Sequence, residues 1–181
     1  MTVRSRCSIP LLGVLLACAS VSCALSEPVR APEVAQQRPE DAILNISREW
    51  VARYSERGLR SSPSPIASFD RQLTSRLELV RGTHSANETV DFTERFILRA
   101  GGEVHCTGQV EGDVSVLYGR RGGEPALELS WSTLLGPRTC DSPNVESTFE
   151  RPAGLSRFVL RADQLVGLGS ALERRTFLPA D

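Results

Sequence analysis

The chain of 181 residues contains no lysine: its 21 basic residues are all arginine, set against 22 acids. The two signs are interspersed without a run of either. That excludes the basic track that would hold nucleic acid or an anionic membrane surface. Histidine is scarce as well, with only His84 and His105. A catalytic base or a metal ligand needs convergent partners, and neither histidine has them nearby in sequence. His84 sits in the polar stretch Arg-Gly-Thr-His-Ser-Ala-Asn, and His105 is out of phase with Val104 and Cys106, which turns it to solvent if they face a core. The five cysteines include no Cys-x-x-Cys pair, so no zinc cluster is expected. Ser130 and Ser132 lack the Gly-x-Ser-x-Gly setting of a hydrolase elbow, and no phosphate loop or dinucleotide fingerprint occurs. No cofactor is implied, and the expectation is a protein that binds or scaffolds rather than an enzyme. Long apolar runs are missing too: residues 9–17, broken by Pro10 and Gly13, are roughly half the span of about 20 that a bilayer-crossing helix needs.

That short run is still long enough for an export leader, which needs a basic start, about 7–15 apolar residues and small side chains at the cut. Arg4 and Arg6, then Ile9 to Leu16, then Ala17, Ala19, Ser20 and Ser22 supply these in order. Leu15-Leu16-Ala17-Cys18 resembles the lipobox of bacterial lipoproteins. The resemblance implies a diacylglycerol thioether on Cys18, cleavage just before it and acylation of the new amino terminus, and more than one acyl chain anchors stably where one does not. Ala19 in the following position implies, by the same resemblance, the outer membrane of the bacterial envelope. Ser20-Val21-Ser22-Cys23 is the alternative site; it lacks the leucine but leaves an even number of cysteines behind it. Secretion without lipid, cut after Ala17-Cys18-Ala19, is the other alternative. Loss of Arg4 and Arg6 leaves 19 arginines against 22 acids, a net charge of −3.

The expected organisation is a leader with its anchor site over 1–18, a proline-containing tether over 19–38 and one domain over 39–181. Pro39 suits a first helical turn, Glu40 and Asp41 complement its dipole, and Ile43, Ile46, Trp50 and Tyr54 fall on one helical stripe. This predicts an amphipathic helix over 39–58 that lays its apolar face on the domain, with a partner's groove as the alternative. Beyond Ser61-Ser62-Pro63-Ser64-Pro65 the period becomes two. Val104, Cys106, Gly108 and Val110, then Val114, Val116 and Tyr118, then Leu127, Leu129 and Trp131 alternate with polar residues, with turns placed at Gly112 and at Arg121-Gly122-Gly123. Further strands are expected over 73–79, 90–98, 157–161, 164–168 and 174–178. About eight short antiparallel strands in meander order close best as an up-and-down barrel over 66–179, because closure removes exposed edges. Trp50 and Trp131 are expected in the core, and the glycan-acceptor patterns at Asn45 and Asn87 are read as chance matches.

Phe96 to Val116, Leu127 to Trp131 and Arg157 to Val166 together look like the lipocalin-like domains of the calycin group, with Gly112-Asp113-Val114 standing where lipocalins carry Gly-x-Trp. The resemblance implies a barrel that takes a small apolar ligand or serves as a scaffold. Interior positions expected to line such a ligand space are Val116, Leu129 and Phe158. If the barrel is filled, the alternative is a structural or partner-docking envelope protein. In an oxidising compartment Cys106 and Cys140 are expected to pair, the alternative being two separate thiols. Intact-mass measurement on envelope fractions checks the leader: the expected species starts at Cys18 and carries acyl mass, and Cys18→Ser removes that mass.

Overall fold

Eleven strands and one short helix make up the described part of the chain, residues 37–143, 145–169 and 175–180 of a computed structural model. The leader, Cys18, Cys23 and most of the tether lie outside these residues. The helix α1 spans only Pro39–Leu44, and β1 runs from Glu49 to Leu59. The helix expected over 39–58 is therefore corrected to a single turn and a half followed by a strand. Trp50 and Tyr54 are four apart, a spacing that satisfies the helical period and the strand period alike, and Ala52 between them completes an inward row of period two. Ser47 marks the switch: its Oγ donates to the Glu49 carbonyl at 2.6 Å and accepts from the Glu49 N–H at 3.1 Å. Pairing then decides the outcome, since β1 aligns with β2 along its whole length, from Glu49 opposite Glu78 to Leu59 opposite Ser68.

The remaining strands are β2 (Ile66–Leu79), β3 (Ser85–Leu98), β4 (Glu103–Arg121), β5 (Glu124–Trp131), β6 (Leu134–Pro137), β7 (Thr139–Cys140), β8 (Thr148–Arg151), β9 (Gly154–Arg161), β10 (Gln164–Gly167) and β11 (Thr176–Pro179). Eight of them, β1 to β5 and β9 to β11, form a closed antiparallel barrel in chain order, with β3 joined to β4 and β11 joined back to β1. Glycines in left-handed geometry make the β4–β5 turn at Gly122 and Gly123, as expected. Gly112 makes no turn: β4 runs through it for 19 residues. Its missing side chain serves packing instead, because a Cβ there would collide with Leu134.

The wall is uneven. β2 and β3 have 14 residues each, whereas β10 and β11 have four each. The first half of β4 extends below β5, and that half is covered by an antiparallel ribbon of β6 and β8, Leu134 opposite Arg151 to Pro137 opposite Thr148. The ribbon lies against the inner face of the tall wall, where Leu134 and Phe149 join Leu73, Val90, Phe92 and Val110. Gly108 is bare for the same reason as Gly112, since a Cβ there would sit 2.6 Å from the Pro137 carbonyl. At one end of the barrel α1 seals the bore: Ile43 and Leu44 pack on Leu79, Val116, Leu127 and Phe158. The loop between β2 and β3 ties this cap down through Arg81 to Asp41 at 2.8 Å and the Gly82 N–H to Glu40 at 2.7 Å.

At the other end Cys106 and Cys140 stand opposite each other in register and are joined by a disulfide across 34 residues. The bridge pins β7, which lies between the two arms of the ribbon in the chain, to β4. Removing it should cost about 3–4 kcal/mol in the chain-entropy model for a loop of that length. Urea unfolding of the Cys106→Ser, Cys140→Ser double variant measures this, and the expected result is a lower midpoint with a cooperative transition retained.

Candidate functional site

The inward row of β2 reads Phe69, Arg71, Leu73, Ser75, Leu77, Leu79, and that of β3 reads Ala86, Glu88, Val90, Phe92, Glu94, Phe96. Charged residues thus occupy barrel-facing positions on both strands, and they divide the interior into layers. Between the apolar cluster around Phe92 and Phe149 and the lower one around Phe96, Val104 and Val145 lies an ion-pair layer. Arg71 stands directly opposite Glu94 in register and donates Nε to its Oε1 at 2.6 Å, while its Nη1 reaches Glu56 at 3.3 Å. Arg138 closes the layer from the far side, its Nε 2.7 Å from Glu94 Oε2 but off hydrogen-bond alignment. Burial lowers Arg138 from the ordinary arginine range, and the Glu94 carboxylate opposes that shift. The guanidinium of Arg71 also lies 4.8 Å from the ring centre of Phe149, so its flat face is covered by an aromatic.

A second polar layer sits one step higher, beneath the helix-capped cluster. Glu88 accepts from Ser75 Oγ at 2.5 Å and from Arg151 Nη1 at 2.6 Å. Arg151 stacks 4.3 Å over Trp131, and Arg175 stacks 4.1 Å over Tyr54. Each of these ion pairs trades solvation for mutual attraction inside a low-dielectric bore, so removing one partner is far costlier than removing both.

Below the lower layer the barrel opens into a groove of about 490 Å³ between the β1–β2 loop and the β6–β8 ribbon. Arg71, Arg138 and Phe96 form its floor, Ile66, Leu135 and Val145 its apolar walls, and Arg60, Glu146 and Glu150 its charged rim. Arg99 braces the loop by donating Nε to the Ser64 carbonyl at 2.9 Å and another N–H to the Arg60 carbonyl. The arrangement offers an apolar surface beside fixed charges of both signs, which suits binding and orientation. Among the described residues no three acidic, histidine or cysteine side chains converge on a common point.

The positions expected to line a ligand space lie elsewhere. Val116, Leu129 and Phe158 are at most 3 % exposed and belong to the packed cluster under α1, together with Trp50 and Phe177. That half of the bore is filled, a correction that follows from α1 and Trp50 reaching into it. Trp50 is core as expected, whereas Trp131 is half-buried beneath Arg151, its Nε1 donating to the Pro152 carbonyl at 3.0 Å. His84 and His105 are both exposed, and Cys106 and Cys140 meet as expected. Arg71 and Glu88 were missed because the strands were begun at Leu73 and Val90, whereas Glu94 lay inside the expected strand 90–98, in phase with Val90. Extending the same alternation by one strand step to Arg71 and Glu88, and along β3 to Glu94, places all three inside.

The geometry defines a closed eight-stranded antiparallel barrel with a helix-capped end and a groove at the opposite end. No protein-family model matches the chain, and no curated protein or solved structure matches it either.

The chain has two tyrosines, and burial raises the pKa of both. Tyr54 is raised chiefly by desolvation, against the lowering pull of Arg175 and Arg151; Tyr118, buried near Glu40, is pushed up to about 12. Each therefore keeps its proton in the folded state after the unfolded phenol has lost it. Their contribution to stability is full below about pH 10 and is lost as pH rises through the folded values. An ultraviolet phenolate titration of the native chain should show almost no signal near pH 10, followed by a late rise that merges with unfolding.

Proposed function

We propose that the chain is an exported lipoprotein of the bacterial envelope, held at the outer membrane by acyl chains on Cys18, with Cys23 as the alternative, and that its lipocalin-like barrel binds a small apolar molecule. The observation that carries this reading is the groove at the open end. Its volume of about 490 Å³ falls within the range of small-molecule sites, and Ile66, Phe96, Leu135 and Val145 give it apolar patches among the charged side chains of Arg60, Arg71, Arg138, Glu146 and Glu150. The ligand place moves from the middle of the bore, where side chains fill the space, to this mouth. The leader, the two prolines of the tether and the bridged cysteines fit a domain standing clear of a membrane surface in an oxidising compartment. No reaction is proposed.

The filled upper half favours a second reading, a scaffold or partner-docking protein that carries no ligand. Titration of the full chain with the neutral apolar fluorophore N-phenyl-1-naphthylamine separates the two. Saturable binding is expected, with Leu135→Arg weakening it at least tenfold by placing a charge on an exposed apolar wall of the groove. Absence of saturable binding, or binding indifferent to Leu135→Arg, leaves the scaffold reading.

A further inference from the structure

The upper polar layer holds more donors than acceptors. Arg151 is 94 % buried and spends only Nη1 on Glu88; its Nε and Nη2 have no hydrogen-bond partner. Arg175 Nε and the Tyr54 hydroxyl are likewise buried without one among the described residues. These groups carry five hydrogens: three on Arg151, one on Arg175 Nε and one on Tyr54. Charge is unbalanced in the same place. Arg71, Arg138, Arg151 and Arg175 face the interior against Glu56, Glu88 and Glu94, an excess of one positive charge among the described residues. In the lower layer Glu56 and Glu94 Oε1 are engaged by Arg71 and Glu94 Oε2 faces Arg138, while the two Glu88 oxygens already accept from Ser75 and Arg151.

We propose that Arg151, Arg175 and Tyr54 form an internal binding site for a small carboxylate, separate from the groove at the open end. Three features select this chemistry. The Nε–Nη2 edge of a guanidinium is the flat fork that takes both oxygens of a carboxylate in parallel hydrogen bonds, and on Arg151 that edge is the one left free. A carboxylate accepts at both oxygens and donates nothing, which answers a cluster where five donor hydrogens face a single acceptor, the Tyr54 oxygen, whereas water would add hydrogens of its own. One negative charge offsets the excess positive one. Trp131 forms the back of the site, under Arg151 at 4.3 Å and 5.7 Å from Arg175.

Access follows from the uneven wall. β1 pairs with β11 only at Trp50 and Val51, so Tyr54 lies past the end of that pairing, and Arg175 and Trp131 are half-buried beside it. The donor atoms are screened from solvent, and admission requires the Arg175 side chain to turn outward on its flexible stem. Arg175 is held to its neighbours by its backbone, whose carbonyl accepts from Gly167 at 2.8 Å, so this turn leaves the strand pairing untouched. Formate and acetate are the smallest molecules with this chemistry, and the carboxylate tip of a longer molecule shares it.

Thermal unfolding and Trp131 fluorescence of the full chain, titrated with sodium formate and with sodium chloride at matched ionic strength, test the proposal. Formate is expected to raise the midpoint saturably and to change the emission with the same dissociation constant, while chloride does neither. Arg175→Gln, which breaks no ion pair among the described residues, should weaken formate at least tenfold; Tyr54→Phe, which keeps the ring, should weaken it severalfold. Equal responses to formate and chloride, no saturable response, or a formate response unchanged in both variants overturns the site. The apolar fluorophore at the groove is unaffected by either variant, so the two sites succeed or fail independently.

Discussion

Two residue pairs close this barrel: Trp50 with Pro179 and Val51 with Leu178. Most other features follow from how short that closure is. Strands of 14 residues on one side meet strands of four on the other, so the tall wall curves around a space that the short wall does not reach. An open bore of that kind would leave apolar side chains and strand edges in water. The chain fills the gap with its own excursion, the β6–β8 ribbon, laid inside the tall wall on positions kept bare by Gly108 and Gly112.

The excursion also explains the charged layers. A ribbon only four residues long on each arm has few side chains to offer, and two of those at its margins, Arg138 and Arg151, are arginines that reach the acids of β3. Glu94 and Glu88 therefore fasten the inserted ribbon to the wall at two heights. Such contacts are poor sources of net stability, because desolvation offsets much of the attraction. Their effect is positional: a ribbon shifted by one residue would take Arg138 from Glu94, which keeps Arg71, and Arg151 from Glu88, which keeps only the Ser75 hydroxyl, so the ion pairs penalise a shifted register. The disulfide fixes the segment between these arginines on the outer strand edge, so ribbon and bridge act on the same stretch of chain.

Filling is unequal between the two ends. Under α1 the aromatic rings of Trp50, Phe158 and Phe177 and the aliphatic chains around them exclude any ligand-sized space, while at the opposite end the loop 60–65 and the ribbon stand apart and leave the groove. The two proposed sites follow this asymmetry, one in the groove at the mouth and one at Arg151, beyond the Arg71–Glu94 layer.

Much of the barrel was legible in residue alternation. The rows Val104 to Val110 and Val114 to Tyr118 lie on one strand and Leu127 to Trp131 on the next, and the glycines at 122 and 123 turn the chain between the two, because side chains that alternate in polarity have one stable use, a sheet with one buried face. The first element was misread because Trp50 and Tyr54 suit either period, and only a partner strand could choose between them. Gly112 was misread because a bare position looks the same in sequence whether it makes a turn or admits a neighbour. Local pattern thus determined which segments are strands and which of their residues face inward, since that depends on the chain's own period. Tertiary structure alone decided that the bore is filled at one end and open at the other, and that Arg71, Arg138 and Arg151 meet Glu94 and Glu88, because those outcomes depend on strand lengths and on contacts between residues as many as 63 positions apart.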